Sequence, residues 1–470
     1  MEFKQLKLSA PLQKALSSMH YETLTPIQEK VIPKMLKKED MVVQSMTGSG
    51  KTLAYVIPIL QRISFDSFFP QALILVPTRE LAQQVKRTLD AVGLYLHTHH
   101  QILVGKQSFH DQKEDMKQRT HVIVATPGRL YQHIQEKTVD LHNISMLIID
   151  EADEMFHLGF RPILEKIISY LPKQQQITCF SATFPDEIRQ FIQKHITSAN
   201  WIQEDADIFP RQLTQLFYAI KDEEKFSGLL DILQSFSITR CIIFMNTIEA
   251  AQQLSMQLSK LDLLISTLHG KQTQEDRFAS LQAFRDGQTR ILIASNVAAR
   301  GLDIDDISLI INYDFPLTAQ SYIHRVGRSA RMKKAGLAVS LVGPSSLSIF
   351  QQLQEIYPYF SIQPLELNRQ FSFDQLRSPI KPKVQKEDLI YQDVMKLCIF
   401  AGKSKKIRPG DLVGAICAID GVTSEDIGVI KVQEHNSYVE ILNGKGEHVL
   451  QAFQTQTIKK KHIRVEKAIK

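Results

Sequence analysis

The stretch "SMLIIDEADEMFHLGF" (Ser145–Phe160) decides the fold. Four apolar residues, Met146 to Ile149, run straight into Asp150, Glu151, Asp153 and Glu154. An apolar run without alternation suits a strand covered on both faces, as in a parallel α/β sheet. Buried strands do not normally end in clustered acids, because like charges repel and desolvation is costly. These carboxylates need something positive to face.

The run has counterparts along the chain. Short β-branched stretches lie at Met41–Ser45, Ala72–Val76, His121–Ala125 and Ile177–Ser181, separated by helix-like segments. The polar segment "QEDADIFPRQL" (Gln203–Leu213) breaks the rhythm. It restarts at Cys241–Met245, Leu263–Thr267, Ile291–Ser295, Ser308–Asn312 and Ala338–Val342. A second break, "RSPIKPKVQKED" (Arg377–Asp388), is rich in Pro and Lys, a linker composition. At 470 residues the chain exceeds one ordinary core. The expected class is α/β, with two parallel-sheet domains at 1–205 and 214–366 joined by a linker at 206–213. A second linker at 367–389 then leads to a small domain at 390–470.

Hydrophobic residues make up 43% and charged residues 23%, the balance of a soluble globular protein. The N-terminus "MEFKQLKLSAPLQKALSS" lacks the apolar core of a signal peptide. No apolar run approaches the ~20 residues of a membrane span. Cys179, Cys241, Cys398 and Cys417 are scattered with no CxxC pair. That pattern fits reduced thiols in a cytoplasmic protein, neither disulfides nor a zinc site. Residues 381–470 carry 16 Lys and Arg against 11 Asp and Glu, so this tail holds most of the net charge of +6. A basic tail suits nucleic acid, and it equally suits an ordinary solvated surface.

The positive partner of the acids lies in "SMTGSGKT" (Ser45–Thr52), which follows a strand and precedes a helix pattern. A loop that curls round a phosphate turns backbone N–H groups toward one point. Gly tolerates that geometry freely, hence Gly48 and Gly50 between Thr47, Ser49 and Lys51. Lys51 can reach β- and γ-phosphates, and the Thr52 hydroxyl can ligate Mg²⁺. The full P-loop pattern starts with Gly where this chain has Ser45. In P-loop NTPases an Asp ending another strand holds Mg²⁺. Asp150 fits that role, largely through water, and Glu151 is placed to orient or deprotonate the attacking water. A helix N-terminus would account for one or two of the acids through its dipole. It does not account for their place after a strand in a P-loop domain.

With these residues in place, the chain resembles the DEAD-box RNA helicases, whose naming motif is Asp150-Glu151-Ala152-Asp153. The resemblance spans about Phe3 to Pro364 and implies two RecA-like domains, ATP with Mg²⁺, and RNA. "HYETLTPIQ" (His20–Gln28) resembles the adenine-reading motif, with Gln28 as the amide and Phe3 as the upstream aromatic that stacks on the base. His20, Tyr21 and Leu24 depart from the usual Gly, Phe and Pro. "PTREL" (Pro77, Thr78, Arg79) and "TPGR" (Thr126, Pro127, Gly128, Arg129) resemble the RNA-backbone contacts. Their hydroxyl, N–H and guanidinium donors bind phosphate without reading sequence. The Gly-Gly element is reduced to Gly105-Lys106. Ser181 and Thr183 of "SAT" resemble the motif that ties ATP to unwinding through the DEAD acids, here Asp153.

An ATP site in the first domain alone lacks groups to neutralise charge on the γ-phosphate, which arginine fingers supply. "HRVGRSAR" (His324–Arg331) has three Arg at spacing three. By resemblance Arg328 and Arg331 are the fingers, while His324 and Arg325 organise the interface. "SNVAARGLD" (Ser295–Asp303) resembles the element whose final Asp, Asp303, binds the ribose, with Ser295 on RNA. Its usual Thr-Asp opening is Ser295-Asn296 here. Thr247 and Arg277 lie in the remaining RNA-side elements.

The tail reads as strand ("MKLCIF"), helix ("RPGDLVGAICAI"), strands ("IGVIKVQ", "NSYVEIL"), helix ("GEHVLQAF") and strand ("KHIRVEKA"). That order is an α+β RNA-recognition-motif arrangement. Only Tyr438 stands at an expected base-stacking position. "GKSKKIRPGDLVGAI" and "NSYVEILNGKG" resemble the C-terminal domain of DbpA/YxiN-type DEAD-box proteins. The resemblance implies anchoring to a 23S rRNA hairpin in pre-50S particles, with Lys403, Lys405, Lys406 and Arg408 gripping phosphates by counterion release. It implies a cytoplasmic monomer that unwinds short duplexes locally. A general helicase in cold shock or mRNA decay, or an ATP-gated RNA clamp with little turnover, would carry the same core.

Overall fold

The computed structural model describes residues 1–45, 48–196, 198–203, 212–295, 307–329, 335–366, 369–381 and 386–468. Its first sheet is entirely parallel and seven-stranded. The strands are β1 (Met41–Gln44), β2 (Ala72–Leu75), β3 (His100–Leu103), β4 (Val122–Ala125), β5 (Met146–Ile149), β6 (Gln176–Ser181) and β7 (Asn200–Gln203). Their order is β3-β4-β2-β5-β6-β1-β7.

The lack of alternation in β5 has the expected cause. Ile148 enters the core on one side of the sheet, and Leu147 and Ile149 enter the core on the other. Both sides are dry, so every position is apolar. The sheet order puts the ends of β1, β6 and β5 side by side. These three ends carry the P-loop, the SAT residues and the acids, so one edge of the sheet gathers them. Ser45 N–H donates to Ser181 O at 3.0 Å and locks two of the three loops together.

The second sheet repeats the plan, all parallel, in β8 (Leu213–Ala219), β9 (Cys241–Met245), β10 (Ile265–Leu268), β11 (Ile291–Ser295), β12 (Leu309–Asn312), β13 (Gly336–Val342) and β14 (Ile362–Pro364). The order is β10-β11-β9-β12-β13-β8-β14. Strand β8 begins at Leu213, the last residue of the polar break, so part of that segment is sheet. Much of the second break is packed as well. Ile380 N–H donates to Gly287 O at 2.9 Å, and just before the break, within the linker expected at 367–389, Leu376 is fully buried in the second domain's core.

The third domain is a four-stranded antiparallel sheet in the order β16-β17-β15-β18, from β15 (Met395–Ile399), β16 (Ile427–Val432), β17 (Ser437–Ile441) and β18 (Val465–Lys467). Helices Pro409–Cys417 and Gly446–Ala452 cover one face, in the β-α-β-β-α-β order read from the sequence. No helix among the described residues is long and apolar enough to cross a membrane.

Candidate active site

The phosphate loop is built on left-handed backbone. Gly48 and Gly50 sit at φ 85° and 91°, and Gly50 caps helix Lys51–Arg62. A Cβ at Gly50 would lie 2.6 Å from Gln28 Nε2, so space as well as conformation demands glycine. Ser45 and Ser49 hydroxyls pair at 2.5 Å, which closes the loop where the family pattern has its first glycine. Thr47 lies outside the described residues.

Lys51 is 7% exposed, and its Nζ stands 3.7 Å from Asp150 Oδ1. Asp150 is held by two further donors, Tyr55 Oη at 3.0 Å and Glu151 N–H at 2.9 Å. Burial still pushes its carboxyl up from the ordinary range, against the pull of Lys51, and adjacent Glu151 adds to the rise. Tyr55 is a site residue the sequence reading passed over; as a buried aromatic inside an apolar helix it carried no outward signal. Thr52 lies in the first turn of the same helix. Glu151, at φ 52°, is a non-glycine residue in the left-handed region. That conformation costs about 1–2 kcal/mol, the kind of strain that persists at functional sites.

Gln28 forms a reciprocal cap with Thr25, and its Nε2 donates to Gly50 O at 3.1 Å. It therefore links the segment expected to read adenine to the Gly50 backbone. Phe3, expected to stack on the base, is 2% exposed and packs edge-on against Tyr21.

Asp153 receives Thr183 N–H and Thr183 Oγ1–H, both at 3.0 Å, while Ser181 Oγ accepts from Asp153 N–H at 3.2 Å. The second domain adds His324 Nε2 at 3.4 Å from Asp153 Oδ2, and Gln320 Nε2–H to Thr183 Oγ1 at 3.1 Å. Burial alone would raise Asp153, but the ion pair with His324 holds it well below the usual carboxylate range. Burial opposes the charged form of His324 too, and Asp153 overrides it and raises the imidazole. The geometry thus brings Asp153, Ser181, Thr183 and His324 into one network across the cleft.

Arg328 is 4% exposed in the turn after helix Ala319–Val326. Arg325 is spent inside the second domain on Asn312 Oδ1, Asp314 O and Asn246 Oδ1. Arg331 and Asp303 lie outside the described residues.

Among the residues expected to contact RNA, Pro77 is buried and Thr78 caps helix Arg79–Val92 by accepting from Leu81 N–H. Arg79 Nη1 is buried with no acceptor among the described residues, and burial lowers its guanidinium. Gly105 and Gly128 face open space where a Cβ would be. Lys106 stands at φ 56°, the reason glycine is usual there. Thr126 is buried and Pro127 starts helix Pro127–Gln135. Arg129 donates to Gln112 Oε1 and Gln107 O, both at 3.1 Å. Thr247 caps helix Ile248–Ser259, and Ser295 ends β11, 6% exposed. Arg277, expected on RNA, pairs with Glu80 of the first domain at 2.8 Å. Sequence reading had no means to match partners 197 residues apart.

In the third domain Lys403, Lys405, Lys406 and Arg408 are all exposed on one loop. Tyr438 is half-buried on the helix-free face of the sheet, with Lys396 Nζ 5.4 Å from its ring centroid.

An ATP-type phosphate loop facing strand-end acids, closed by a second sheet domain, defines a DEAD-box helicase core. Comparison with known proteins agrees. Residues 25–191 match the DEAD/DEAH box helicase family, 224–333 the helicase conserved C-terminal domain, and 396–467 the DbpA RNA binding domain. The chain is 40% identical to the ATP-dependent RNA helicase DbpA of Bacillus subtilis over 100% of this chain and 99% of that protein. It is 33% identical to the ATP-dependent RNA helicase DbpA of Escherichia coli, over 98% of each. Among solved structures, Saccharomyces cerevisiae Dbp5 bound to RNA and ADP BeF3 aligns with a TM-score of 0.70 at 30% identity, over 78% of this chain and 96% of that one. The chain belongs to the DbpA-type DEAD-box ATP-dependent RNA helicases, enzymes that couple ATP hydrolysis to RNA.

Proposed function

We propose that this helicase opens short duplexes in 23S rRNA during assembly of the large (50S) subunit, as a cytoplasmic monomer anchored by its third domain. The observation that carries the targeting is that domain: an RRM-like sheet, matched to the DbpA RNA binding domain, with Lys403, Lys405, Lys406 and Arg408 exposed together. Tyr438 would add a stacking surface beside them.

In the motor, Gln28 and Phe3 would take the adenine, Asp303 the ribose, and Thr47 to Thr52 with Lys51 the phosphates. Phe3 must be uncovered to do so. The buried, upward-shifted Asp150 suits a divalent cation, so Asp150 and Thr52 would hold Mg²⁺, which would neutralise charge on the β- and γ-phosphate oxygens. Glu151 accepts a proton from the attacking water. Arg328 and Arg331 meet the γ-phosphate once the cleft closes. RNA lies along Pro77–Arg79, Gly105, Thr126–Arg129, Thr247 and Ser295, where the unpaired Arg79 Nη1 awaits a phosphate oxygen. Closure assembles the Asp153–Thr183–His324 network, so ATP and RNA each favour a state that the other also favours. RNA bent in that state no longer fits a duplex, and one strand leaves.

A panel of rRNA fragments tests the targeting through ATPase stimulation, with the full chain and with a chain lacking 391–470. The 23S hairpin should stimulate the full chain most, and the shortened chain should lose that preference while keeping basal ATPase. Equal stimulation by unrelated RNA would point to a general helicase.

A further inference from the structure

The third domain does more than hang from a tether. The short helix Lys386–Leu389 packs on helix Arg79–Val92 of the first domain. Ile390 and Leu442, 3% and 0% exposed, belong to the first domain's apolar core, and Tyr391 and Val394 pack against it. Polar contacts frame this seam. Tyr21 Oη–H donates to Glu387 Oε1 at 3.0 Å, Lys386 Nζ to His20 O at 3.2 Å, and Lys14 Nζ to Asn443 Oδ1 at 2.8 Å. Arg87 pairs with Asp388, and Lys431 stands 3.7 Å from Asp115. Burial, with Asp90 nearby, pushes both the Tyr391 hydroxyl and the Glu440 carboxyl up, as expected of groups sealed between domains.

The seam takes in the Met395–Ile441 end of the third sheet and runs along β16 as far as Lys431. Met395 pairs with Ile441, so Leu442 and Asn443 lie at that end, while the basic loop follows Ile399 at the opposite end of β15. Helix Arg79–Val92 ties the seam to the cleft. Its first turn carries Glu80 to Arg277 of the second domain, and its last turns carry Arg87 to Asp388. Its 14 residues span about 20 Å at 1.5 Å each. Both contacts exist at once, so docking does not obstruct closure.

We propose that this seam is a working interface: the docked third domain holds the RNA anchor at a fixed offset from the cleft, and so selects which duplex is opened. The inference rests on the basic loop being the anchor. A free tether would let the cleft reach many offsets; a dock admits one.

The test uses the full chain with Cys417, the exposed cysteine, changed to Ser; the other three are buried. Lys14→Cys with Asn443→Cys is treated with a short bis-maleimide, with and without RNA plus a non-hydrolysable ATP analogue. Unwinding is then measured on hairpin RNAs whose duplex sits behind single-stranded spacers of graded length. Expected are an intramolecular cross-link in both states, undiminished RNA-stimulated ATPase and an unchanged spacer optimum. Lys14→Glu with Arg87→Glu should loosen the seam and broaden that optimum. No cross-link in the RNA-bound state, loss of stimulation on cross-linking, or a broad optimum in the unaltered chain overturns the proposal. If hairpin RNA is no better than unrelated RNA, the anchor fails and the offset with it, while the cross-link yield separately judges the seam.

Discussion

Arg277 and Glu80 join the two helicase domains across the cleft, and their removal should cost closure dearly. The side chains are 8% and 11% exposed with a shortest N–O distance of 2.8 Å. At an effective dielectric constant of about 20, two unit charges at that distance attract by about 6 kcal/mol. Desolvation of both groups cancels much of this, yet removing one partner leaves the other buried and unpaired. That typically costs about 3–5 kcal/mol, or roughly 10²–10⁴-fold in the closure equilibrium. Glu80→Gln and Arg277→Gln should each weaken closure on this scale, read by energy transfer between dyes on the two domains with RNA and a non-hydrolysable ATP analogue. The double variant should close better than the two single losses together imply. The variants also separate the ion pair from the phosphate contact expected of Arg277. Were Arg277 an RNA ligand, Glu80→Gln would free it and tighten RNA binding, and Arg277→Gln would flatten the salt dependence by about one phosphate. Tightened RNA binding in Glu80→Gln, or single effects that add within about 0.5 kcal/mol, would refute the reasoning.

The centres of both large sheets were legible because their chemistry is unambiguous. Strands such as Met146–Ile149 and Cys241–Met245 are covered on both faces and must be apolar throughout. Edge strands are not so constrained. His100–Leu103 and Asn200–Gln203 close the two edges of the first sheet, and Ile362–Pro364 closes one edge of the second. Each carries polar residues, since one side of the hydrogen-bond ladder is free, and no apolar run marked them. Leu213–Ala219 was hidden differently, because it begins inside a polar stretch.

In the site, the residues that the strand ends gather were legible from the local pattern. What the pattern hid was pairing over distance: Tyr55 with Asp150, Gln320 with Thr183, Glu80 with Arg277. Departures from the family pattern also gained a physical meaning. His20 and Lys106 replace glycines, and both stand at positive φ, 55° and 56°. The backbone kept the left-handed turn that glycine would hold at less cost. Gln28 had a second legible role, since Thr25-x-x-Gln28 is a capping-box spacing, and the structure uses it as one.

Three further outcomes are expected. Glu151→Gln should keep ATP and RNA binding and lose roughly 10²–10⁴-fold in turnover, the usual worth of a general base; near-normal kcat in a steady-state ATPase assay would exclude that role. His20→Gly relieves a left-handed residue and should stabilise the first domain by about 1 kcal/mol, seen as a higher denaturation midpoint; an unchanged or lower midpoint would mean that the His20 side chain compensates. The last concerns pH. In this cleft Asp153 raises His324 above its ordinary 6.5, and opening the cleft removes that partner. Closure therefore takes up a proton once pH exceeds 6.5. The His324 contribution is complete below that value and is lost as pH rises through the raised pKa. Asp153 is depressed, so its own contribution fails only under strong acid and leaves this window untouched. The closure equilibrium should fall with pH on the alkaline side of 6.5, by up to about tenfold per unit. His324→Asn should flatten that slope while leaving the Glu80–Arg277 pair in place; an unaltered slope in the variant would assign the pH dependence to another group.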